Sequence, residues 1–208
     1  SCKKIMIIDG PLGSRFDNVS KKCYPDKFIV SNRKVCNILN QNFNIDYSKM
    51  IISGSIYLDW IFQNHKKNLE KNNSIPFFLP ADDPNIDYKL TQLSTYENIF
   101  TNLINYFNKT EFTIILRPHP RSSKILLNLI DNYSKNYEIF KYHEYDNIDN
   151  YTIINSSKYT FSVGSFSSYE SIVLGTPSCF LRFNIHFPGF DRYVDIQNMP
   201  VINNENDL

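Results

Sequence analysis

The chain has 208 residues, 42% of them hydrophobic, which is enough for one large or two small domains with a core. The formal net charge of +1 gives no electrostatic case for nucleic acid as a partner. No apolar run approaches the length of a membrane span, and no signal-peptide pattern is present.

The four cysteines, Cys2, Cys23, Cys36 and Cys179, are scattered without a CxxC pair. They read as reduced thiols of a cytoplasmic protein, not as a disulfide framework or a zinc site. Asn, Ile, Lys and Tyr are abundant, which reads as compositional drift. Sequons such as Asn108-Lys-Thr and Asn155-Ser-Ser follow by chance from so much Asn. The sequence starts at Ser1 without Met, which suggests a piece of a longer protein.

Lys4–Ile8 reads as a short buried strand, with the turn signal Asp9-Gly10-Pro11 at its C-terminal end. Asp26–Val30 is a second strand. Asn32–Phe43 reads as a helix capped by Ser31 or Asn32. Lys49–Ser53 is a third strand, stopped by Gly54, and Tyr57–Glu70 is helical. The polar run Lys66–Asn73 marks a domain boundary, dividing the chain into 1–73 and 74–208.

The second part opens on the strand Ile75–Leu79 and a loop, Pro80–Asn85. Tyr88–Phe107 is a long helix with an apolar stripe at Leu93, Tyr96, Ile99, Phe100, Leu103, Ile104 and Phe107. Phe112–Leu116 is a strand, followed by a helix capped by Ser122 or Ser123 that runs through Tyr133. Then come a strand at Tyr137–Tyr142, a helix at Tyr145–Asn155 and a strand at Tyr159–Val163. A short helix, Tyr169–Leu174, and a strand, Ser178–Phe183, complete the pattern. The polar tail Val194–Leu208 is expected to close no element. Alternating strands and helices predict an α/β fold with parallel sheets.

Two segments carry candidate chemistry. Arg117-Pro118-His119-Pro120-Arg121 follows a buried strand. A histidine between two prolines has a stiff backbone and a fixed direction. It can accept or donate a hydrogen bond, and when protonated it can neutralise a phosphate. Arg117 and Arg121 add positive charge suited to phosphate. The plainer reading is a turn whose histidine caps the following helix. The second segment, Gly164-Ser165-Phe166-Ser167-Ser168-Tyr169-Glu170, also follows a strand. It places hydroxyls and free backbone N–H groups at a helix N-terminus, where a phosphate is favoured. Ser165 as a turn residue, and Ser167 or Ser168 as a helix cap, is the plainer alternative. Glu170 is placed to accept the hydroxyls of a ribose, or simply to favour the helix dipole. Asp9 could act as a general base, although an Asp before Gly more often only makes a turn. Asp82 and Asp83 are too few for a metal site. His65, His143 and His186 lack partners at ligand spacing.

Together these motifs resemble the nucleotide-binding half of two-Rossmann-domain (GT-B type) bacterial glycosyltransferases with an "HP" and an "SS" motif. These include sialyltransferases and polysialyltransferases, capsule-building transferases and teichoic-acid glycerophosphotransferases. The resemblance implies that His119 contacts the donor nucleotide and acts as acid or phosphate neutraliser. It implies that Ser167 and Ser168 bind phosphate and that Glu170 binds ribose. Arg117, Pro120 and Ser165 belong to the same implied nucleotide site. Ile8-Asp9-Gly10 resembles an acidic-acidic-Gly motif that supplies the base Asp9, but here Ile8 fills the first acidic position.

Residues 1–73 then correspond to a remnant of the acceptor-side domain and linker, and 74–208 to the nucleotide-sugar-binding domain. The expected partners are a nucleotide-activated sugar, with a CMP- or CDP-linked donor, and a glycan acceptor. The expected place is the cytoplasm, with room for peripheral association at the inner face of the membrane. Neither the residues nor the resemblance calls for a metal or cofactor. Three functions stay open at this point: a transferase for surface polysaccharide, a nucleotide-sugar 2-epimerase, and a non-catalytic nucleotide-binding module.

Overall fold

A computed structural model describes residues 3–8, 19–65, 70–80, 93–142, 148–182, 199–204 and 207. The chain forms two compact units, the first built from Ser1–Asn64 and the second starting at His65.

In the first unit, strands β1 (Ile5–Ile8), β2 (Lys27–Val30) and β3 (Met50–Ile52) form a parallel sheet in the order β1-β2-β3. Helix α1 (Arg33–Phe43) begins where the Asn32 side chain accepts the Val35 N–H at 3.0 Å. It stops at Asn44, which takes the left-handed conformation at φ 55°. The helix buries Val35, Cys36, Ile38 and Leu39 against Phe28 and Val30. The side chains of β1 alternate, leaving Ile5 and Ile7 exposed, whereas in β3 both Ile51 and Ile52 are exposed. Helix α2 (Ile56–Asn64) follows. It is shorter than the expected Tyr57–Glu70. Glu70 is not helical, and 66–69 lie outside the described residues. The polar run after Asn64 offers no apolar stripe to bury.

The second unit is a six-stranded sheet of β4 (Ser74–Phe78), β5 (Thr113–Arg117), β6 (Phe140–Tyr142), β7 (Thr160–Ser162), β8 (Ser178–Leu181) and β9 (Val201–Ile202). Every neighbouring pair is parallel, in the order β6-β5-β4-β7-β8-β9. Counted within the unit this is 3-2-1-4-5-6, the doubly wound Rossmann order. The α/β class and the parallel sheets are as the sequence predicts. Helices α3 (Leu93–Phe107), α4 (Lys124–Asn136), α5 (Asn150–Ser156) and α6 (Ser167–Val173) connect the strands. The core joins Phe77, Ile114 and Leu116 of the sheet to Tyr96, Phe100 and Leu103 of α3.

Several boundaries depart from expectation. α4 runs three residues past Tyr133, so β6 starts at Phe140 and not at Tyr137. α5 begins at Asn150 because the Asp149 side chain accepts the Thr152 N–H, and Ile148 before it is not helical. α6 begins two residues early, at Ser167. The tail was expected to close no element, but Val201–Ile202 pair with Phe180–Leu181 and extend the sheet.

Pro76 sits in the central strand β4, where proline is rarely tolerated. Asn73 O and Leu79 N bond to β5, so by alternation the backbone groups of Ser74, Pro76 and Phe78 turn toward β7. On that side, after an isolated bridge of Asn72 with Ser157, the ladder runs only from Phe77 with Phe161. The missing N–H of Pro76 therefore falls just outside the ladder.

Candidate functional site

The doubly wound order reverses between β4 and β7. Ligands of such sheets bind in the crevice beyond the C-terminal strand ends at that reversal. The loops after β5 and β7, on either side of β4, both lie on this edge. The strands that carry them lie two positions apart in the sheet, about 10 Å by strand spacing. His119 follows β5, and Ser165–Glu170 follow β7, so both candidate segments flank one crevice mouth.

The loop after β5 is a tight turn built by its prolines. The Ser122 N–H bonds the His119 carbonyl at 2.8 Å across Pro120 and Arg121, with proline in the favoured second position. The His119 ring closes the turn from the other side, its Nδ1 accepting the Arg121 N–H at 3.1 Å. An Nδ1 that accepts carries no proton, so the neutral ring holds its proton on Nε2 and offers it as a donor. Burial, with the Arg121 charge adding to it, lowers the histidine pKa below its ordinary value. The resting ring is therefore neutral at pH 7. An acid role for His119 requires an anion nearby to raise it.

The turn after β7 is organised around Ser162, a fully buried hydroxyl. Its Oγ accepts the N–H groups of Gly164 and Ser165, each at 3.3 Å, and pairs with Ser168 Oγ at 2.7 Å. Gly164 takes φ 124°, a conformation that L side chains rarely adopt. Ser165 Oγ accepts the Ser167 N–H, and Ser165 O accepts the Ser168 N–H. The expected free N–H groups of this turn are thus largely satisfied within it. Phe166, not a serine, occupies the cap position of α6 and makes no side-chain cap bond. Of the three serines singled out by the sequence, Ser165 and Ser168 bond internally. Ser167 Oγ has no hydrogen-bond partner among the described residues, and Ser165 Oγ, which accepts the Ser167 N–H, keeps its own proton to donate. Glu170 lies in the first turn of α6 and is 7% exposed.

Arg117, expected to face phosphate, turns inward. It is the last residue of β5 and 2% exposed. Its Nη2 donates to the Ile148 carbonyl and to Asn150 Oδ1, both at 2.9 Å. Pro120 and Arg121 are exposed. Asp9, Asp82, Asp83, His143 and His186 lie outside the described residues. His65 packs on Tyr151 in a tilted arrangement, with ring centroids 4.3 Å apart.

Ser162 and Asn150 escaped the sequence reading. The available signal for Ser162 was a hydroxyl pair, Thr160 and Ser162, in a strand buried on both faces. A cavity of about 320 Å³ opens at the opposite, N-terminal end of the sheet, lined by residues including Ser74, Glu111, Thr113 and Lys141. That edge is not where doubly wound sheets hold ligands. Among the described residues there is no group of His, Cys, Asp and Glu able to hold a metal, and no helix long and apolar enough to cross a membrane.

No protein family matches the sequence, and neither does any curated protein. Solved structures do match. UDP-GlcNAc 2-epimerase from Methanocaldococcus jannaschii is 17% identical over 96% of this chain and 60% of that one, with a TM-score of 0.65. The same enzyme in complex with UDP-GlcNAc and UDP is 18% identical over 88% of this chain and 52% of that one, with a TM-score of 0.61. TarM is 12% identical over 99% of this chain and 41% of that one, with a TM-score of 0.56. The chain thus spans about half the length of the structures it matches. The likeness is one of fold: Rossmann-like α/β units of the GT-B type.

Proposed function

We propose that the second unit binds the nucleotide of an activated sugar and serves a glycosyltransferase of surface-polysaccharide synthesis. The carrying observation is the pair of loops flanking the reversal between β4 and β7. One offers the His119 Nε2–H, and the other the Ser167 hydroxyl with Glu170 in the turn beyond it. A donor on either side of a crevice between strands about 10 Å apart suits a phosphate between two polar walls, with Glu170 positioned for a ribose. A nucleotide phosphate arriving at the neutral His119 would raise its pKa, so the ring would take a proton as charge builds on the leaving group. A CMP- or CDP-linked donor is the specific form, by resemblance of the HP and SS segments. Glycan is the acceptor, and Asp9 is the base. We place the work in the cytoplasm, with room for association at the inner face of the membrane.

A second reading, nucleotide-sugar 2-epimerase, is favoured by the two epimerase structures above. Thermal-shift titration with CMP, CDP, UDP and GDP tests both, because a ligand that binds only the folded state raises the melting point. CMP or CDP as the stabilising nucleotide supports transfer. UDP, followed by interconversion of UDP-GlcNAc, supports epimerisation. No stabilisation by any of the four, or equal stabilisation of wild type and a folded His119→Gln, Ser167→Ala double variant, would overturn the site.

A further inference from the structure

We infer that Arg117 is a positioning residue, which fixes the direction of His119 by bracing the end of β5 to the start of α5. This rests on His119 being the site histidine proposed above. At least three attachments meet at Arg117. Its carbonyl accepts the Leu79 N–H at 3.0 Å, tying it to the extension of β4. Its side chain holds Ile148 O and Asn150 Oδ1, more than thirty residues ahead, where the crossover returns to enter α5. Its own strand supplies the third. Two residues further on stands His119, with only Pro118 between. That proline has a fixed φ and is itself buried. Displacement of Arg117 is therefore passed to the imidazole with little slack.

The choice of residue is itself informative. A strand end that needed only filling would take an apolar side chain. A buried guanidinium is tolerated only with good acceptors, and in return its planar fork gives direction that an apolar contact cannot. Two of its acceptors are a backbone carbonyl and a side-chain amide. Asp149, between them, caps α5 through Thr152.

The readout is the His119 imidazole, followed by nuclear magnetic resonance and assigned among the four histidines with His119→Gln. In the wild type it should be a single Nε2–H tautomer with a titration midpoint below that of an ordinary histidine. Asn150→Ala removes one acceptor. His119 should then sample both tautomers, with its midpoint moving up toward the ordinary value and weaker binding of CDP or UDP. Asn150→Asp keeps an acceptor and should restore the wild-type ring. Arg117→Met removes brace and charge together and leaves no unpaired cation, so it stands in if Asn150→Ala does not fold, and the same change is expected. A lowered melting temperature with the His119 tautomer and midpoint unchanged would show Arg117 to be structural only and overturn the inference. If the wild type binds neither CDP nor UDP, the nucleotide site fails, but the ring readout still decides the role of Arg117.

Discussion

Removing the Ser168 hydroxyl separates a structural serine from a ligand-binding one. Ser162 and Ser168 are both fully buried, and their hydroxyls lie 2.7 Å apart. Ser162 Oγ already accepts two backbone N–H groups, so its own proton has Ser168 as its outlet. In Ser168→Ala that proton is left buried without an acceptor, at a cost of about 1–3 kcal/mol. For a chain of this size the melting temperature should fall by about 2–12 °C. Ser167→Ala, by contrast, removes a hydroxyl with no partner among the described residues and should leave the stability within about 0.5 kcal/mol of wild type. Nucleotide affinity should respond in the opposite way, with Ser167→Ala weakening it more than Ser168→Ala does at a temperature where both are folded. Calorimetric melting and nucleotide titration of the two variants measure this directly. A Ser168→Ala protein that melts like wild type yet no longer binds nucleotide would refute the reasoning, because Ser168 would then be the ligand.

Gly164→Ala forces a Cβ into φ 124° and should cost about 1–3 kcal/mol, read as a lower denaturation midpoint in urea. For His119, the unfolded ring titrates near 6.5 and the folded ring below it, so the unfolded chain binds the proton first. Its contribution to stability should be intact above about pH 6.5 and lost as pH falls through the folded value. The difference between wild type and His119→Gln melting curves across pH 5–7 isolates it. Burial pushes the Cys179 thiol up to about 12, whereas Cys23 is exposed. Iodoacetamide at pH 8 should modify Cys23 and spare Cys179, as peptide mass spectrometry would show.

Much of the fold was legible because its signals are local. The apolar stripe from Tyr96 to Phe107 and the cap at Asn32 each depend on a few neighbouring residues. The turn at His119-Pro120 was legible for the same reason, since proline presets its second position. What escaped was set by distance. Arg117 looked like a phosphate ligand because its partners, Ile148 and Asn150, lie thirty residues away in sequence. Ser168 looked equivalent to Ser167, and only the register of β7 shows that it meets Ser162. The strand Val201–Ile202 is two residues long and is defined entirely by β8 beside it, so no periodicity could announce it.

The proline in β4 divides the sheet mechanically. β4 is registered to β5 over five residue pairs but to β7 over two, Phe77–Phe161 and Phe78–Ser162. The strands on the two sides of the reversal are therefore joined by a short zipper, reinforced by α5 and by Lys71, whose Nζ ties Asn155 O to Thr176 Oγ1. In native-state hydrogen exchange the β7–β8–β9 half should open as its own cooperative unit, at lower free energy than β4 and β5. A molecule spanning the crevice would hold both halves at once, so ligand protection should appear in amides of β7 and β8 that it never touches.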